Sequence, residues 1–307
     1  MTGRRLAAGV AGAVMSRGVQ GLFSLARRAG PDRSSDLGAS ILRTAGPLLK
    51  QHRIALANIR AAFPEKTTHE CEAIARGAWA NLGRTGAEYA HLGTLFDFDP
   101  DHPGPGRIEI EGVEQFAALR DDGRPGIVFS AHLGNWELAK IAARRFGLDA
   151  TAVFRAPNDP TAARILHQVR SETHGSLTAG SGPGAAAAIN RVLEAGGHLA
   201  QLIDQHFTRG VPVTFFGRPA LANPLLAKLA RRHECPVHGA RVVRLPGHRF
   251  RVHLTPEIPM PRGLDGRIDV VGATQAMTSV IEGWIREFPE QWLWMHRRWR
   301  APAAALP

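Results

Sequence analysis

Apolar and polar positions divide the chain into two unlike parts. Residues 36–46 and 48–63 carry apolar side chains at helical spacing, interrupted at Pro47, with Ile54, Leu56, Ile59 and Phe63 on one face of the second segment. Pro64 ends that pattern, because a proline cannot supply the helix N–H. Thr67 and Glu70 then have the spacing of a capping box, which predicts a helix running to about His91. Residues 95–105 place three prolines among alternating acids and read as a linker.

From Arg107 the period changes. Strands are expected at 108–110, 127–130, 150–154, 198–203, 211–216, 237–243 and 250–254. Helices are expected at 113–120, 136–146, 161–172, 185–195, 221–233 and 271–288. Strands alternating with helices predict an α/β fold: a mainly parallel central sheet flanked by helices, preceded by a helical region. The last strands lack intervening helices, so an antiparallel edge is expected. Three segments follow: a basic membrane-associating helix over 1–30, a helical region and linker over 31–105, and an α/β core over 106–307. Residues 31–307 are expected to form one compact domain.

Charge sharpens this picture at one end. The 307 residues carry a formal charge of +11, and residues 1–60 hold ten Lys or Arg against two acids, a local +8. A basic amino-terminal region suits an anionic partner, although ordinary solubility charge would look the same. Residues 6–26 are mostly apolar or small, but Arg17, Gln20 and four glycines spoil a membrane-spanning helix. With Arg4, Arg5, Arg27 and Arg28 flanking it, the stretch reads as an interfacial helix on an anionic bilayer, or else as a core helix. Cys71 and Cys235 form no metal-ligand pattern and no disulfide framework.

The candidate chemistry centres on Ser130-Ala131-His132-Leu133-Gly134-Asn135-Trp136-Glu137, at the end of the 127–130 strand. Open α/β sheets place ligands at the carboxyl ends of strands. Five positions along one helix would separate His132 and Glu137 by about 140°. The pair therefore works only with His132 in the loop and Glu137 in the first helical turn. A carboxylate there would fix the imidazole tautomer and leave a base for an alcohol or amine. A surface histidine beside a glutamate placed for helix-dipole reasons accounts for the same residues.

Arg155 follows a predicted strand and could bind phosphate or donate to an oxyanion. Asp204 and Gln205 also end a strand, so with parallel strands they share a rim with His132, where they could orient substrate or pair with Arg155. No segment has tight metal-ligand spacing, so no metal is expected. Gly180 to Gly184 fails the dinucleotide-binding pattern and reads as a flexible turn before a helix. Trp292, Trp294 and Trp299 among Arg297, Arg298 and Arg300 suit a membrane-interface belt or, equally, a core-packing tail.

The His132 block resembles the H-x-x-x-x-[DE] motif of glycerolipid acyltransferases, and its Gly-Asn-Trp-Glu form resembles the late (lauroyl/myristoyl) acyltransferases of bacterial lipid A biosynthesis. Further blocks match in order: Arg53 to Asn58 with Ala62-Phe63-Pro64-Glu65; Val153 to Asn158; Asp204-Gln205-His206 with Val211 to Gly217; and Pro289 to Arg298. The resemblance implies transfer of a fatty acyl chain from acyl carrier protein thioester, or from acyl-CoA, to a hydroxyl of a lipid A precursor. It implies His132 as general base oriented by Glu137, with Asn135, Arg155, Asp204 and Gln205 at the substrate. It implies no cofactor, no nucleic acid, and a place on the cytoplasmic face of the inner membrane, peripheral or anchored by the amino terminus. Open alternatives are another glycolipid or lysolipid acceptor (a phosphatidylinositol mannoside or ornithine lipid) or a non-catalytic basic lipid-binding protein.

Overall fold

A computed structural model describes residues 21, 23–154, 160–182 and 184–299. The expected interfacial helix at 6–26 falls largely outside the described residues, and Arg155 lies outside them altogether. Among the described residues no helix is long and apolar enough to cross a membrane.

Nine strands are described: β1 (Ile108–Glu111), β2 (Gly126–Ser130), β3 (Ala150–Phe154), β4 (Leu177–Ala179), β5 (His198–Leu202), β6 (Val211–Phe215), β7 (Arg218–Ala222), β8 (Val237–Leu245) and β9 (Arg249–Leu254). Seven form one sheet in the order β1-β9-β8-β2-β5-β3-β4. β8, β2, β5, β3 and β4 run parallel, while β9 pairs antiparallel with β8 and parallel with β1. The architecture is thus the expected mixed α/β one, with the edge of reversed direction supplied by two strands. β2 sits at the centre and every residue in it is buried, as its unbroken apolar run requires.

Side chains alternate across β2 and divide the core into two layers. Ile127 and Phe129 face a layer built on the Lys50–Ala62, Thr68–Glu88, Leu225–His233 and Val270–Glu287 helices. Val128 faces the other, with Phe116, Leu138, Ile141, Phe146 and Leu254. The amino-terminal helices therefore pack into the same apolar core as the sheet.

The Thr68–Glu88 helix opens on the expected capping box: Glu70 N–H donates to Thr67 Oγ1 at 3.3 Å, and Thr67 N–H to Glu70 Oε2 at 2.8 Å. Two strands depart from expectation. The helix expected from 221 begins at Leu225, because β6 turns back on β7 as a separate antiparallel hairpin. Phe216 and Gly217 carry the two consecutive positive φ angles, 53° and 67°, that a two-residue hairpin turn demands. β4, only three residues long, was too short to show a period and lies at the sheet edge directly before the glycine-rich turn.

Candidate active site

Register brings the site together. β2 and β5 are parallel neighbours with Ser130 opposite Leu202, and Ile203 N–H donates to Ser130 O at 3.0 Å. The residue two positions beyond each strand is therefore placed side by side: His132 and Asp204. His132 Nδ1 lies 2.8 Å from Asp204 Oδ1, and His132 N–H donates to Oδ2 at 3.1 Å. A third donor, Trp292 Nε1–H, reaches Oδ2 at 2.8 Å. Burial alone would push the Asp204 carboxyl up, but His132, His296 and the Trp292 N–H outweigh it and hold the carboxyl well below the usual carboxylate range. An ionised Asp204 only accepts, so the imidazole proton sits on Nδ1 and the Nε2 lone pair is free. The His132 side chain is 19% exposed and Asp204 is sealed, so of the pair only the imidazole is open to solvent.

The His132 loop is pinned from two sides. Leu293 N–H donates to His132 O at 3.1 Å, and Gly134 N–H to Gln291 O at 3.0 Å, so residues 291–293 run against the loop like a short strand. From the Thr68–Glu88 helix, Asn81 Nδ2 and Thr85 Oγ1 each donate to Gly134 O at 3.1 Å. Gly134 has φ 57°, and a Cβ there would lie 2.3 Å from Val242 O, so only glycine fits. Trp292 and Trp294 are fully buried and Arg298 nearly so, which favours the core-packing reading of these residues over the interface belt. Arg298 instead stacks over Phe215 at 4.7 Å and donates from Nη1 to Leu221 O at 2.9 Å. Burial pushes its guanidinium down to about 10, against the opposing pull of Asp204.

Glu137 is the main correction. Its carboxylate meets a different set of partners, because it heads the Glu137–Arg145 helix and points toward the Pro160–His174 helix. Tyr89 Oη–H donates to Oε1, as does Trp136 Nε1–H at 2.8 Å. Arg170 grips both oxygens, Nη2 to Oε1 at 2.6 Å and Nε to Oε2 at 3.0 Å. His174 Nε2 lies 2.7 Å from Oε2, at an angle that makes the contact electrostatic rather than a good hydrogen bond. Burial would raise the Glu137 carboxyl, yet His174 and Arg170 hold it well below the usual range. The carboxylate in contact with His132 is that of Asp204.

Beside this cluster, between the sheet and the Glu137–Arg145 and Pro160–His174 helices, lies a cleft of about 760 Å³ including the space open to solvent at its mouth. Ser130 and Trp136 line it, and the Trp136 ring packs edge-on against His132 at 5.1 Å. Much of the remaining wall is Val, Leu, Phe and six alanines: Ala139, Ala143, Ala150, Ala152, Ala200 and Ala240. Arg170 and Glu137 neutralise each other on its wall.

The profile of the bacterial lipid A biosynthesis acyltransferases matches residues 14–301. The chain belongs to that family. No individual curated protein matches it. Membership makes this chain an O-acyltransferase of lipid A biosynthesis, and the strand-end base beside an apolar cleft is chemistry that such an acyltransferase can use.

Of the residues expected at the acyltransferase site, the structure joins His132 and Asp204. Gln205 is exposed just beyond Asp204 on the rim. Asn135 is fully buried, its amide donating to Glu88 Oε2 at 2.8 Å and its Oδ1 accepting from Glu137 N–H at 3.3 Å, so both ends of its amide are bonded within the protein and brace the loop. Unforeseen were Trp292 as the third donor to Asp204, and Tyr89, Arg170 and His174 around Glu137. Arg170 and His174 are four apart on one helix, a spacing that puts both on one face and was visible in the sequence.

Proposed function

We propose that the protein transfers a fatty acyl chain from acyl carrier protein thioester to a hydroxyl of a lipid A precursor, with His132 as general base and Asp204 as its orienting carboxylate. The observation that carries this reading is the 2.8 Å His132–Asp204 contact beside an apolar cleft whose wall includes Ser130 and Trp136. The cleft takes the acyl chain, because its wall offers alkyl surface of the kind a fatty chain would otherwise expose to water. His132 Nε2 removes the acceptor hydroxyl proton as the oxygen attacks the thioester carbonyl. The imidazolium so formed is stabilised by ionised Asp204. Collapse of the tetrahedral intermediate breaks the carbon–sulfur bond, and the imidazolium returns its proton to the leaving thiolate. The products are one ester and one free carrier thiol. Glu137 belongs to the scaffold in this scheme: with Arg170 it locks the Glu137–Arg145 helix against its neighbour. The reaction takes place at the cytoplasmic face of the inner membrane, where carrier and lipid acceptor meet.

The test is to incubate purified protein with acyl carrier protein thioester and a lipid A precursor and to weigh the lipid by mass spectrometry. The expected product is heavier by one acyl chain, with one carrier thiol released per chain. Equal product from a folded His132→Ala protein would remove the histidine from the mechanism. An unmodified acceptor alongside acylation of another glycolipid would move the substrate assignment.

A further inference from the structure

The Pro31–Ala45 helix is built inside out. Its inward face is small and polar: Ser34, Ser35 and Ala39 are buried against the Thr68–Glu88 helix. Ser35 Oγ donates to Glu88 Oε1 at 2.7 Å. A Cβ on Gly38 would lie 2.4 Å from Gly83 O, so the two helices touch backbone to backbone there. Of its three large apolar residues only Leu42 packs toward the core, and Leu37 and Ile41 point the other way. Leu37 is 61% exposed and Ile41, one turn on, 53%; Leu48, in the 3-10 turn that follows, is 86% exposed, with Leu49 beside it. A helix on the surface of a water-soluble domain normally turns its apolar side inward. Five of the nine large apolar side chains exposed among the described residues fall between residues 25 and 49, so the apolar exposure is concentrated and not scattered.

Charge frames the same face. Asp32 and Asp36, the two acids of the helix, are tied to Arg107, and to Arg84 and His248. Arg33, Arg43, Lys50 and Arg53 are exposed and take part in no ion pair among the described residues. We infer that this face, with Leu37, Ile41, Leu48 and Leu49 framed by Arg33, Arg43, Lys50 and Arg53, docks on an anionic lipid bilayer. Exposed aliphatic side chains ringed by cations match an interface with apolar tails below and phosphates around. The other occupants fit less well. A second copy of this face would bring cations against cations, and so would residues 1–20, whose charged side chains are Arg4, Arg5 and Arg17. Nucleic acid would call for stacking rings, and this face presents none. The inference deepens the reading above, since a lipid acceptor is met at a bilayer. The measurement below involves no acyl transfer, so the two can fail separately.

The full chain is tested for sedimentation with phosphatidylglycerol-containing and pure phosphatidylcholine vesicles. Leu37→Gln/Ile41→Gln/Leu48→Gln should weaken binding to the anionic vesicles by about tenfold or more. Arg33→Gln/Arg43→Gln/Lys50→Gln should remove the preference for anionic over neutral vesicles and the salt dependence with it. All six side chains are exposed, so Tm should hold in both variants. As a direct probe, Ile41→Cys can be labelled selectively with a polarity-sensitive dye, because Cys71 and Cys235 are buried; its emission should shift to the blue on anionic vesicles. Wild-type vesicle binding by both variants would overturn the inference. So would unchanged vesicle binding with a raised KM for acyl carrier protein thioester, which would give this face to the donor protein.

Discussion

Two buried carboxylates stand on the same side of the sheet chemistry, and they differ in what they can do. Asp204 and Glu137 are both sealed from solvent, both held ionised, and each gathers at least three donors. Each has an imidazole within reach, and the two imidazoles differ in access: the His132 side chain is 19% exposed and keeps a free nitrogen, whereas His174 beside Glu137 is 4% exposed. Glu137 is also gripped by the Arg170 guanidinium, which keeps its proton across all working pH. A carboxylate behind an accessible imidazole can support proton transfer; one clamped by an arginine and a buried histidine holds a position. Burial and charge are alike at the two sites, so the accessibility of the partner's imidazole separates them.

The largest expected effect comes from Asp204→Asn. Two N–H groups, from His132 and Trp292, point at Oδ2, and one points at Oδ1. An amide has a single oxygen. Turned toward the two donors, it presents its NH2 to His132 Nδ1, which must then accept, and the ring proton moves to Nε2. That caps the base while leaving shape and packing in place. Turnover should fall by roughly 10³–10⁴, as expected when a catalytic histidine is held in the wrong tautomer, with little change in Tm. Single-turnover thiol release from the carrier reads it directly.

Glu137→Gln should invert that signature. Breaking a buried ion pair from one side leaves an uncompensated charge, here Arg170, and costs about 3–5 kcal/mol. The midpoint of urea unfolding should drop accordingly, while folded protein assayed well below that midpoint loses less than about tenfold in kcat. A thousandfold loss with unchanged stability would make Glu137 a chemical group and dissolve the distinction between the two sites.

A smaller effect separates the two sites by pH. Burial pushes His296 down to about 4, with nearby Asp204 pulling the other way, so it is neutral in the folded protein at neutral pH. Its ordinary value is about 6.5. The unfolded chain therefore binds the extra proton first as pH falls. The stability contribution is complete above about pH 6.5 and is lost on descent toward 4, at most about 3 kcal/mol from this group. His296→Gln should flatten part of that slope in thermal melts between pH 7 and 4. Glu137→Gln should lower the curve across this window without removing the slope, since the Glu137 carboxyl titrates well below it.

Much of this was legible in the sequence for physical reasons. Long periods announce themselves: the capping box at Thr67, the central run at 127–130 and the closing helix appear within two residues of expectation. His132 and Asp204 were both placed at strand ends, and the rim followed from parallel strands. Which carboxylate faces the histidine was not legible, because it depends on β2 and β5 being adjacent in space although about 70 residues apart in sequence. Chain proximity favoured Glu137, and the β2–β5 register favoured Asp204. Trp292 and Trp294 left two readings open for a similar reason: tryptophans among arginines look alike in an interface belt and in a core until their neighbours are known.

The smallest effect tests what the two carboxylate sites share. The loop from Ala131 to Trp136 carries His132 at one end and leads into Glu137 at the other, and Asn81 holds its middle. Asn81 Nδ2 donates to Gly134 O at 3.1 Å and to Gln291 O at 2.9 Å, while its Oδ1 accepts from Arg244 Nε at 3.2 Å. Asn81→Ala leaves Gly134 O with the Thr85 hydroxyl alone and should cost about 1–2 kcal/mol. A base misplaced by a fraction of an ångström should also slow the chemistry, by about tenfold in kcat with KM nearly unchanged. Thr85→Ala alone should do less, because Asn81 still serves the carbonyl. The double variant strips Gly134 O of both donors, and its loss should exceed the sum of the single ones, since both act on one acceptor. Unchanged kcat in all three variants would mean that the loop is held by residues 291–293 alone and that the helix contributes packing only.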